Sequence, residues 1–169
     1  MVMQHLHPGA RWLFRIGAYF FFLFLAIFSS VFFGFVVLAF LGGYGILILI
    51  LFIISFTIIC GEIYARLAYK YWKYEFTPTN LKIERGIIWK KYSNIPYERV
   101  QNVDIQRGII ARLFGFSSVN IQTAGYSYSS RGIPRSEGYL PAVSVEGAEK
   151  IREFLMEKIS KRGGGGQGL

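Results

Sequence analysis

Residues 16–61 are IGAYFFFLFLAIFSSVFFGFVVLAFLGGYGILILILFIISFTIICG, and they include no Asp, Glu, Lys, Arg or His. A helix needs about 20 mainly apolar residues to span a bilayer. The uncharged run is too long for one span and close to the length of two spans with a tight turn. The cluster Gly42-Gly43-Tyr44-Gly45 supplies the backbone freedom that such a turn requires. The run therefore predicts a hairpin of two transmembrane helices, at about Ile16–Leu41 and Ile46–Tyr69.

A secretory signal peptide is the competing interpretation of the first half of this run. Its apolar core has about 7–15 residues and ends at a small-residue cleavage site. Here the apolar sequence continues far beyond that length without such a site, so we reject this interpretation. Within the spans, Ser29, Ser30 and Gly34 are small enough to form a contact face between the helices.

The only cysteine, Cys60, also lies in this run. A single cysteine excludes an internal disulfide and any site with several cysteine ligands. In apolar surroundings the side chain behaves as a small hydrophobic group, and acylation near a membrane boundary is the alternative.

The residues that flank the run predict its orientation. Basic residues stand at both ends, whereas the predicted turn is uncharged: Arg11 and Arg15 precede the first span, and Arg66, Lys70 and Lys73 follow the second. Positively charged flanks stay on the cytosolic side of a membrane. Both termini are therefore expected in the cytosol, with the protein as a multi-pass component of the cytoplasmic membrane.

The chain beyond the run is polar and basic. The net charge of the chain is +9. From Lys70 onward there are 16 Lys and Arg residues against 9 acidic residues, so most of the positive charge lies in this part. Such an excess favours acidic partners, including anionic lipid headgroups, nucleic acid and acidic proteins. We divide the chain into a cytosolic segment (1–15), the hairpin (16–69), a cytosolic domain (70–162) and a flexible glycine-rich tail (163–169).

Short strands are predicted directly after the second span. Trp72, Tyr74 and Phe76 alternate with charged residues, which is typical of a strand with one buried face. Similar segments recur between turn residues. They predict strands at 81–84, 88–95, 103–106, 119–123 and 139–143, a helical turn at 109–114 and a loop at 125–138.

An amphipathic helix is predicted after the last strand. Its apolar stripe consists of Ala148, Ile151, Phe154, Leu155 and Ile159, with Ser144 as the N-cap. A sheet must bury its apolar face against another element. The predicted architecture is thus a membrane α-hairpin plus an α+β domain, in which a small bent antiparallel sheet or partial barrel packs on the C-terminal helix.

A set of short motifs extends along nearly the whole chain. In order, they are Leu6-His7-Pro8, Tyr74-Glu75-Phe76-Thr77, Arg85-Gly86, Ile95-Pro96, Arg99-Val100-Gln101-Asn102-Val103, Arg112-Leu113-Phe114-Gly115 and Thr123-Ala124-Gly125. This set, with its two preceding spans, resembles the bacterial pleckstrin-homology-like (PH-like) family known as membrane-flanked domain proteins. The resemblance implies a PH-like fold on the cytosolic face, without enzymatic activity. The chain departs from the pattern at Gly108-Ile109-Ile110, where Pro is common in relatives, and in a longer loop at 126–136.

The residues needed for catalysis are largely missing from the cytosolic domain. From Lys70 onward the sequence has no His and no Cys, which removes the usual bases, nucleophile pairs and zinc ligand sets. His5 and His7 lack the further ligands of a metal site. Gly163-x-Gly165-x-x-Gly168 has the spacing of a dinucleotide-binding loop, but neither a strand before it nor a helix after it. We therefore predict no enzyme, no metal site and no cofactor.

Basic residues remain as candidates for binding. Arg85, Lys90 and Lys91 surround a predicted hairpin, and Arg99, Arg107 and Arg112 flank the next strand and helical turn. Each such charge contributes about 1 kcal/mol to the binding of anionic lipid when it lies near the bilayer. The alternative is a solvated surface that satisfies the positive-inside rule. Arg99 and Arg112 are also candidates for ion pairs within the fold.

The sequence favours a non-catalytic, membrane-anchored module for binding or assembly, which engages anionic lipid, a protein partner or copies of itself. A second hypothesis is an accessory subunit of a larger membrane complex, in which the hairpin packs on partner helices. Nucleic acid is not an expected partner, because Trp72, Tyr74 and Phe76 are better explained as sheet core than as base-stacking surfaces.

Overall fold

The uncharged run forms two long helices. The computed structural model describes residues 3–124 and 138–163, the last three as backbone only; most of the loop predicted at 125–138 and most of the glycine-rich tail lie outside this range. Helix α1 spans Ala10–Leu41, and helix α2 spans Gly43–Tyr71. Both are long and apolar enough to cross a membrane. At a rise of 1.5 Å per residue, they measure about 48 and 44 Å.

A single glycine connects the two helices. Gly42 has a φ of 56°, in the left-handed region that glycine adopts at little cost. Its N–H donates to the Leu38 carbonyl oxygen at 2.9 Å, and the Gly45 N–H donates to the Gly42 carbonyl oxygen at 3.0 Å. The turn is therefore shorter than the predicted four residues, because helical geometry resumes at Gly43.

Small residues allow the two helices to approach each other. A Cβ added to Gly61 would collide with the ring of Tyr19, and one added to Gly34 would lie 3.5 Å from Leu49 Cδ1. Gly34 thus lies in the helix contact, as the sequence predicts. The Ser30 hydroxyl instead donates to a carbonyl oxygen of its own helix at 2.7 Å. Close packing of small residues is a common way for transmembrane helices to associate.

The two charged residues that border the uncharged run form an ion pair. Arg15 donates two hydrogen bonds to the Glu62 carboxylate, at 2.7 and 2.8 Å. Arg66, one turn further along α2, donates to the same carboxylate at 2.8 Å. The side chains of Arg15 and Glu62 are only 25% and 22% exposed. This bidentate pair joins α1 to α2 at the charged end of the hairpin.

Two antiparallel sheets form the domain within the described residues. The first has the order β1-β2-β3-β4, and the second has the order β5-β6-β7. Their strands are β1 (Gln4–His5), β2 (Lys73–Phe76), β3 (Asn80–Arg85), β4 (Lys91–Pro96), β5 (Val100–Gln106), β6 (Phe116–Thr123) and β7 (Gly138–Ser144). A 3-10 turn (Tyr97–Arg99) connects β4 to β5, helix α3 (Ile109–Leu113) connects β5 to β6, and helix α4 (Val145–Gly163) follows β7.

The N-terminal segment completes this domain. β1 pairs with β2 at the edge of the first sheet. The His7 N–H donates to the Ala142 carbonyl oxygen at 3.0 Å, and the Tyr69 hydroxyl donates to the Leu6 carbonyl oxygen at 3.0 Å. Among the described residues, one compact unit therefore combines positions 3–10 with the positions from Tyr69 onward. This segment is not predicted as part of the domain, since two strand residues are too few to produce a periodic pattern in the sequence.

The domain core lies between the two sheets and α4. Leu81, Ile121, Leu140 and Leu155 are completely buried. The N-cap predicted for α4 is present, because the Gly147 N–H donates to the Ser144 hydroxyl oxygen at 3.1 Å. The α+β prediction is confirmed: antiparallel strands precede a C-terminal helix that packs on them.

Candidate functional site

The turn between β3 and β4 exposes large apolar side chains of the domain. The sequence predicted a strand from Ile88, but β4 begins at Lys91 and residues 86–90 form a turn. Gly86 has a φ of 114°, and a Cβ there would collide with the Trp89 carbonyl oxygen. This tight return of the backbone leaves Ile88 84% and Trp89 87% exposed.

Three of the predicted basic residues meet at this turn. Arg85 and Lys91 are directly paired in the register of β3 and β4. The Arg85 guanidinium lies 5.4 Å from the ring centroid of Trp72. Lys90 Nζ lies 3.6 Å from a Glu84 carboxylate oxygen and 5.9 Å from the ring centroid of Tyr71. The turn thus carries three cations, and two of them, Arg85 and Lys90, lie against the aromatic rings at the end of α2 and directly after it. We call Arg85, Ile88, Trp89, Lys90 and Lys91 the basic turn.

A second exposed apolar feature lies on α3. Ile109 and Leu113 are spaced by four residues, so they share one helix face, and they are 87% and 76% exposed. Ala111, on the opposite face, is 5% exposed and attaches the helix to the domain. The predicted basic residues Arg107 and Arg112 are exposed in the same short segment. We call Arg107, Ile109, Arg112 and Leu113 the α3 patch.

Arg99 stands apart from both groups. It lies in the 3-10 turn at the start of β5, whereas Arg107 follows the end of that strand. Eight residue steps at about 3.3 Å each separate the two by roughly 25 Å. The Arg99 carbonyl oxygen accepts a hydrogen bond from the Ala124 N–H at 2.6 Å. Among the described side chains, neither Arg99 nor Arg112 has a carboxylate partner, so the ion pairs considered from sequence are not formed.

The four exposed apolar side chains at these two features are not among the binding residues predicted from the sequence. Ile88 and Trp89 are placed by the sequence in a strand at 88–95, although they follow Gly86 without the alternation that marks a half-buried strand. Ile109 and Leu113 were assigned to an apolar helical turn. One sequence feature at both places could have indicated exposed binding residues: large apolar residues stand next to Arg or Lys.

A cleft of about 540 Å³ lies between the N-terminal segment, β2 and α4. His5 and His7 line it together with Phe76, Phe154 and Lys150. His7 Nδ1 accepts a hydrogen bond from the Gly9 N–H at 3.1 Å, so one ring nitrogen is already engaged. Across residues 3–124 and 138–160, no three His, Cys, Asp or Glu side chains are close enough to hold a metal ion.

Two tyrosines are buried beneath the sheets. The Tyr97 hydroxyl donates to the Thr77 carbonyl oxygen at 2.6 Å, and burial raises the pKa of Tyr97 to about 12. Burial also raises the pKa of Tyr74, which is 5% exposed. Both groups stay protonated at neutral pH, and they serve as core residues rather than as proton acceptors.

Comparison with known proteins identifies relatives along most of the chain. The family model described as "Bacterial PH domain" matches residues 13–159. The UPF0699 transmembrane protein YdbT of Bacillus subtilis (strain 168) is 30% identical over 89 residues, which are 53% of this chain and 17% of that protein. The UPF0699 transmembrane protein YdbS of the same organism is 27% identical over 99 residues, which are 59% of this chain and 56% of that protein. Each match therefore spans less than two thirds of the relative. No solved structure matches this chain.

Proposed function

The chain belongs to the bacterial PH domain family and is a membrane-integral protein, and from this premise we propose that it is a non-catalytic module that binds anionic lipid headgroups. In this proposal the hairpin anchors the protein in the cytoplasmic membrane. Both termini and the PH-like domain face the cytosol, and the basic turn binds the headgroups.

The clustering of Arg85, Lys90 and Lys91 beside Tyr71 and Trp72 carries the proposal. Lys90 pairs with Glu84, whereas Arg85 and Lys91 lie side by side in the register of β3 and β4. Glu84 is the one acidic residue from position 84 to position 91, so this segment keeps a net positive charge. Tyr71 ends α2, and the turn therefore lies close in the chain to the membrane anchor. Basic residues immediately beside a transmembrane helix are a common means of binding anionic lipid.

The proposed orientation rests on the charges around the hairpin. Lys70 lies in the last turn of α2, and Arg66 and Arg15 lie near the same end of the hairpin. The connecting turn at Gly42 has no charged residue beside it. The positive-inside rule then places this connection outside the cytosol. A reporter that is active only in the periplasm should be inactive when fused to the C-terminus, and activity there would contradict the orientation.

Lipid retention by the full chain tests the binding function. The protein is purified in detergent with equal amounts of phosphatidylglycerol and phosphatidylcholine, and native mass spectrometry counts the molecules of each lipid that remain bound. The double variant Lys90→Gln/Lys91→Gln removes two charges that contribute about 1 kcal/mol each. We expect its affinity for phosphatidylglycerol to fall about thirtyfold, since each 1.4 kcal/mol is a factor of ten, with retention of phosphatidylcholine unchanged.

A matched control removes the same charge elsewhere. Lys82 and Lys158 are exposed and lie outside the basic turn. Lys82→Gln/Lys158→Gln should retain phosphatidylglycerol as the wild type does. Equal losses in the two double variants, or no loss in either, would contradict a lipid site at the basic turn.

An accessory-subunit function is the second candidate, and one feature of the hairpin favours it. An apolar cleft of about 420 Å³ lies beside Gly17 and is lined by side chains of both helices, including Phe14, Phe21 and Tyr64. Apart from the neighbouring backbone of its own helix and its two chain neighbours, no heavy atom lies within 4 Å of a Cβ added to Gly17. A helix of a partner protein would fit against such a surface. Co-purification from native membranes would reveal that partner, and the loss of the partner in Gly17→Phe would locate it.

A further inference from the structure

We propose that the basic turn and the α3 patch are two points at which the domain inserts apolar side chains into the bilayer that carries the hairpin. Ile88 and Trp89 would form one insertion point, and Ile109 and Leu113 the other. The proposal rests on the function above for the side of the membrane on which the domain lies. The cations bind the lipid headgroups in that function. Here, in addition, apolar side chains enter the bilayer interface.

Helix length places the end of α2 at the membrane surface. Its 29 residues measure about 44 Å. A bilayer with its headgroups is about 40–45 Å thick. A helix that begins at the far headgroup layer therefore ends, at Tyr71, near the surface of the cytosolic headgroup layer.

Strand register directs the basic turn back toward this end of the helix. β2 starts at Lys73, which pairs with Glu84, whereas residues 86–90 extend beyond that pair. The turn therefore projects past the start of β2, toward the residues that end α2. The 5.9 Å between Lys90 Nζ and the Tyr71 ring shows this proximity directly.

The α3 patch lies close to the start of the other helix. Leu113 is three residues before Phe116, a distance of at most about 10 Å along the chain. The ring of Phe116 lies 6.4 Å from that of His7, and its Cδ1 would lie 2.6 Å from a Cβ added to Gly9. Gly9 directly precedes Ala10, where α1 begins. Each insertion point thus lies near one of the two connections between domain and hairpin.

The chemistry of both features matches the interface of an anionic bilayer. Tryptophan is enriched where acyl chains meet headgroups. Segments that lie in this interface combine apolar side chains with Lys and Arg on the polar side. Here Ile88 and Trp89 have three cations beside them, and Ile109 and Leu113 have two. A partner protein would also cover apolar residues. The bilayer, however, is always present where the domain joins the hairpin, because the hairpin is embedded in it.

Quenching of a single tryptophan by brominated lipid tests the insertion. The full chain with Trp12→Phe and Trp72→Phe retains Trp89 alone and is reconstituted in vesicles of phosphatidylcholine and phosphatidylglycerol. When the phosphatidylcholine carries bromine at carbons 6 and 7, we expect the Trp89 emission to fall at least twofold. A second protein, with Trp89→Phe and Ile109→Trp added, should show a fall of the same size.

The control moves the tryptophan to α4. Met156 is 44% exposed and lies on neither feature. With all three native tryptophans replaced by Phe, Met156→Trp should lose less than a fifth of its emission. Emission at position 89 or 109 that is as insensitive as this control would overturn the insertion at that point, and with it the two-point proposal.

Quenching by acrylamide, which stays in the aqueous phase, distinguishes a tryptophan covered by the bilayer from one covered by a protein partner. A tryptophan at position 89 that is shielded from acrylamide but insensitive to brominated lipid would be covered by protein, which overturns the proposal. The lipid retention experiment reports independently on the function. If selective retention of phosphatidylglycerol persists without bromine quenching, only the insertion fails; if both are absent, the lipid-binding function fails as well.

Discussion

The hairpin and the domain bury opposite kinds of residue. In the domain the large apolar side chains are inside, as for Leu81 and Leu155, which are fully buried. In the hairpin the buried positions are small, such as Ala26 and Gly61, whereas Phe35 is 80% exposed. The domain thus buries large apolar side chains away from water, whereas the hairpin buries small residues and exposes large apolar ones toward lipid.

This contrast shows which forces hold each part together. Water drives the burial of apolar side chains in the domain. Lipid provides no such force for Phe and Ile, so the helices depend on close packing of small residues and on polar contacts. The Arg15–Glu62 pair supplies the polar contact, and Gly61 supplies the close packing.

The largest effect is expected in the domain core. Leu155→Ala removes a fully buried side chain where α4 covers the sheets. It should lower the free energy of domain unfolding by about 2–5 kcal/mol, through lost burial and a residual cavity. Denaturant titration of the full chain in detergent, followed by near-ultraviolet circular dichroism, measures this change. The neighbouring Met156→Ala, at a 44% exposed site, should cost far less, and equal costs would contradict the role assigned to α4.

The next effect is expected at the helix contact. Gly61→Val introduces side-chain atoms where even a Cβ collides with the Tyr19 ring, and overpacking of this kind costs about 1–3 kcal/mol. We expect a lower thermal midpoint in detergent. Gly17→Val is the matched control, because no atom beyond the neighbouring backbone of its own helix and its two chain neighbours lies within 4 Å of its added Cβ. A hairpin that tolerates both substitutions equally would not depend on close packing at Gly61.

A smaller effect is expected from the charges of the hairpin. Glu62→Gln leaves Arg15 and Arg66 without their shared carboxylate, so the thermal midpoint should fall by less than in Gly61→Val. Glu149→Gln on α4 breaks a surface pair with Arg152, in which both side chains are about half exposed. Surface pairs of this kind contribute little, and this variant should match the wild type. Indistinguishable midpoints for the two variants would remove the distinction between the hairpin pair and a surface pair.

The smallest effect concerns pH and belongs to the domain alone. An exposed tyrosine has a pKa near 10, whereas burial raises the pKa of Tyr97 to about 12. The folded state therefore holds this proton more tightly than the unfolded state. Its contribution to stability is complete below pH 10 and is lost as the pH rises toward 12. Between pH 9 and 11 the unfolding midpoint of Tyr97→Phe should fall less than that of the wild type, and parallel curves would contradict this.

Much of the architecture could be predicted because its signals are periodic or cumulative. The uncharged run and the stripe of Ala148, Ile151 and Leu155 both extend over several helical turns. β1 could not be predicted, because two residues carry no period and their partner lies beyond the hairpin. The exposure of Ile88 and Trp89 was missed for a different reason. In a short segment, an apolar residue is buried only if the backbone directs its side chain toward the core. The turn at Gly86 directs these two side chains toward the surface instead.

The pairing of β1 with β2 also constrains how the protein is made. β1 leaves the ribosome about 70 residues before β2, and both spans of the hairpin are synthesised between them. If only one span crossed the membrane, the two strands would be on opposite sides and the sheet could not gain its edge. Completion of the sheet therefore requires that both spans cross the membrane or that neither does. A chain in which only one span crosses would keep an unpaired strand edge, and such edges promote aggregation.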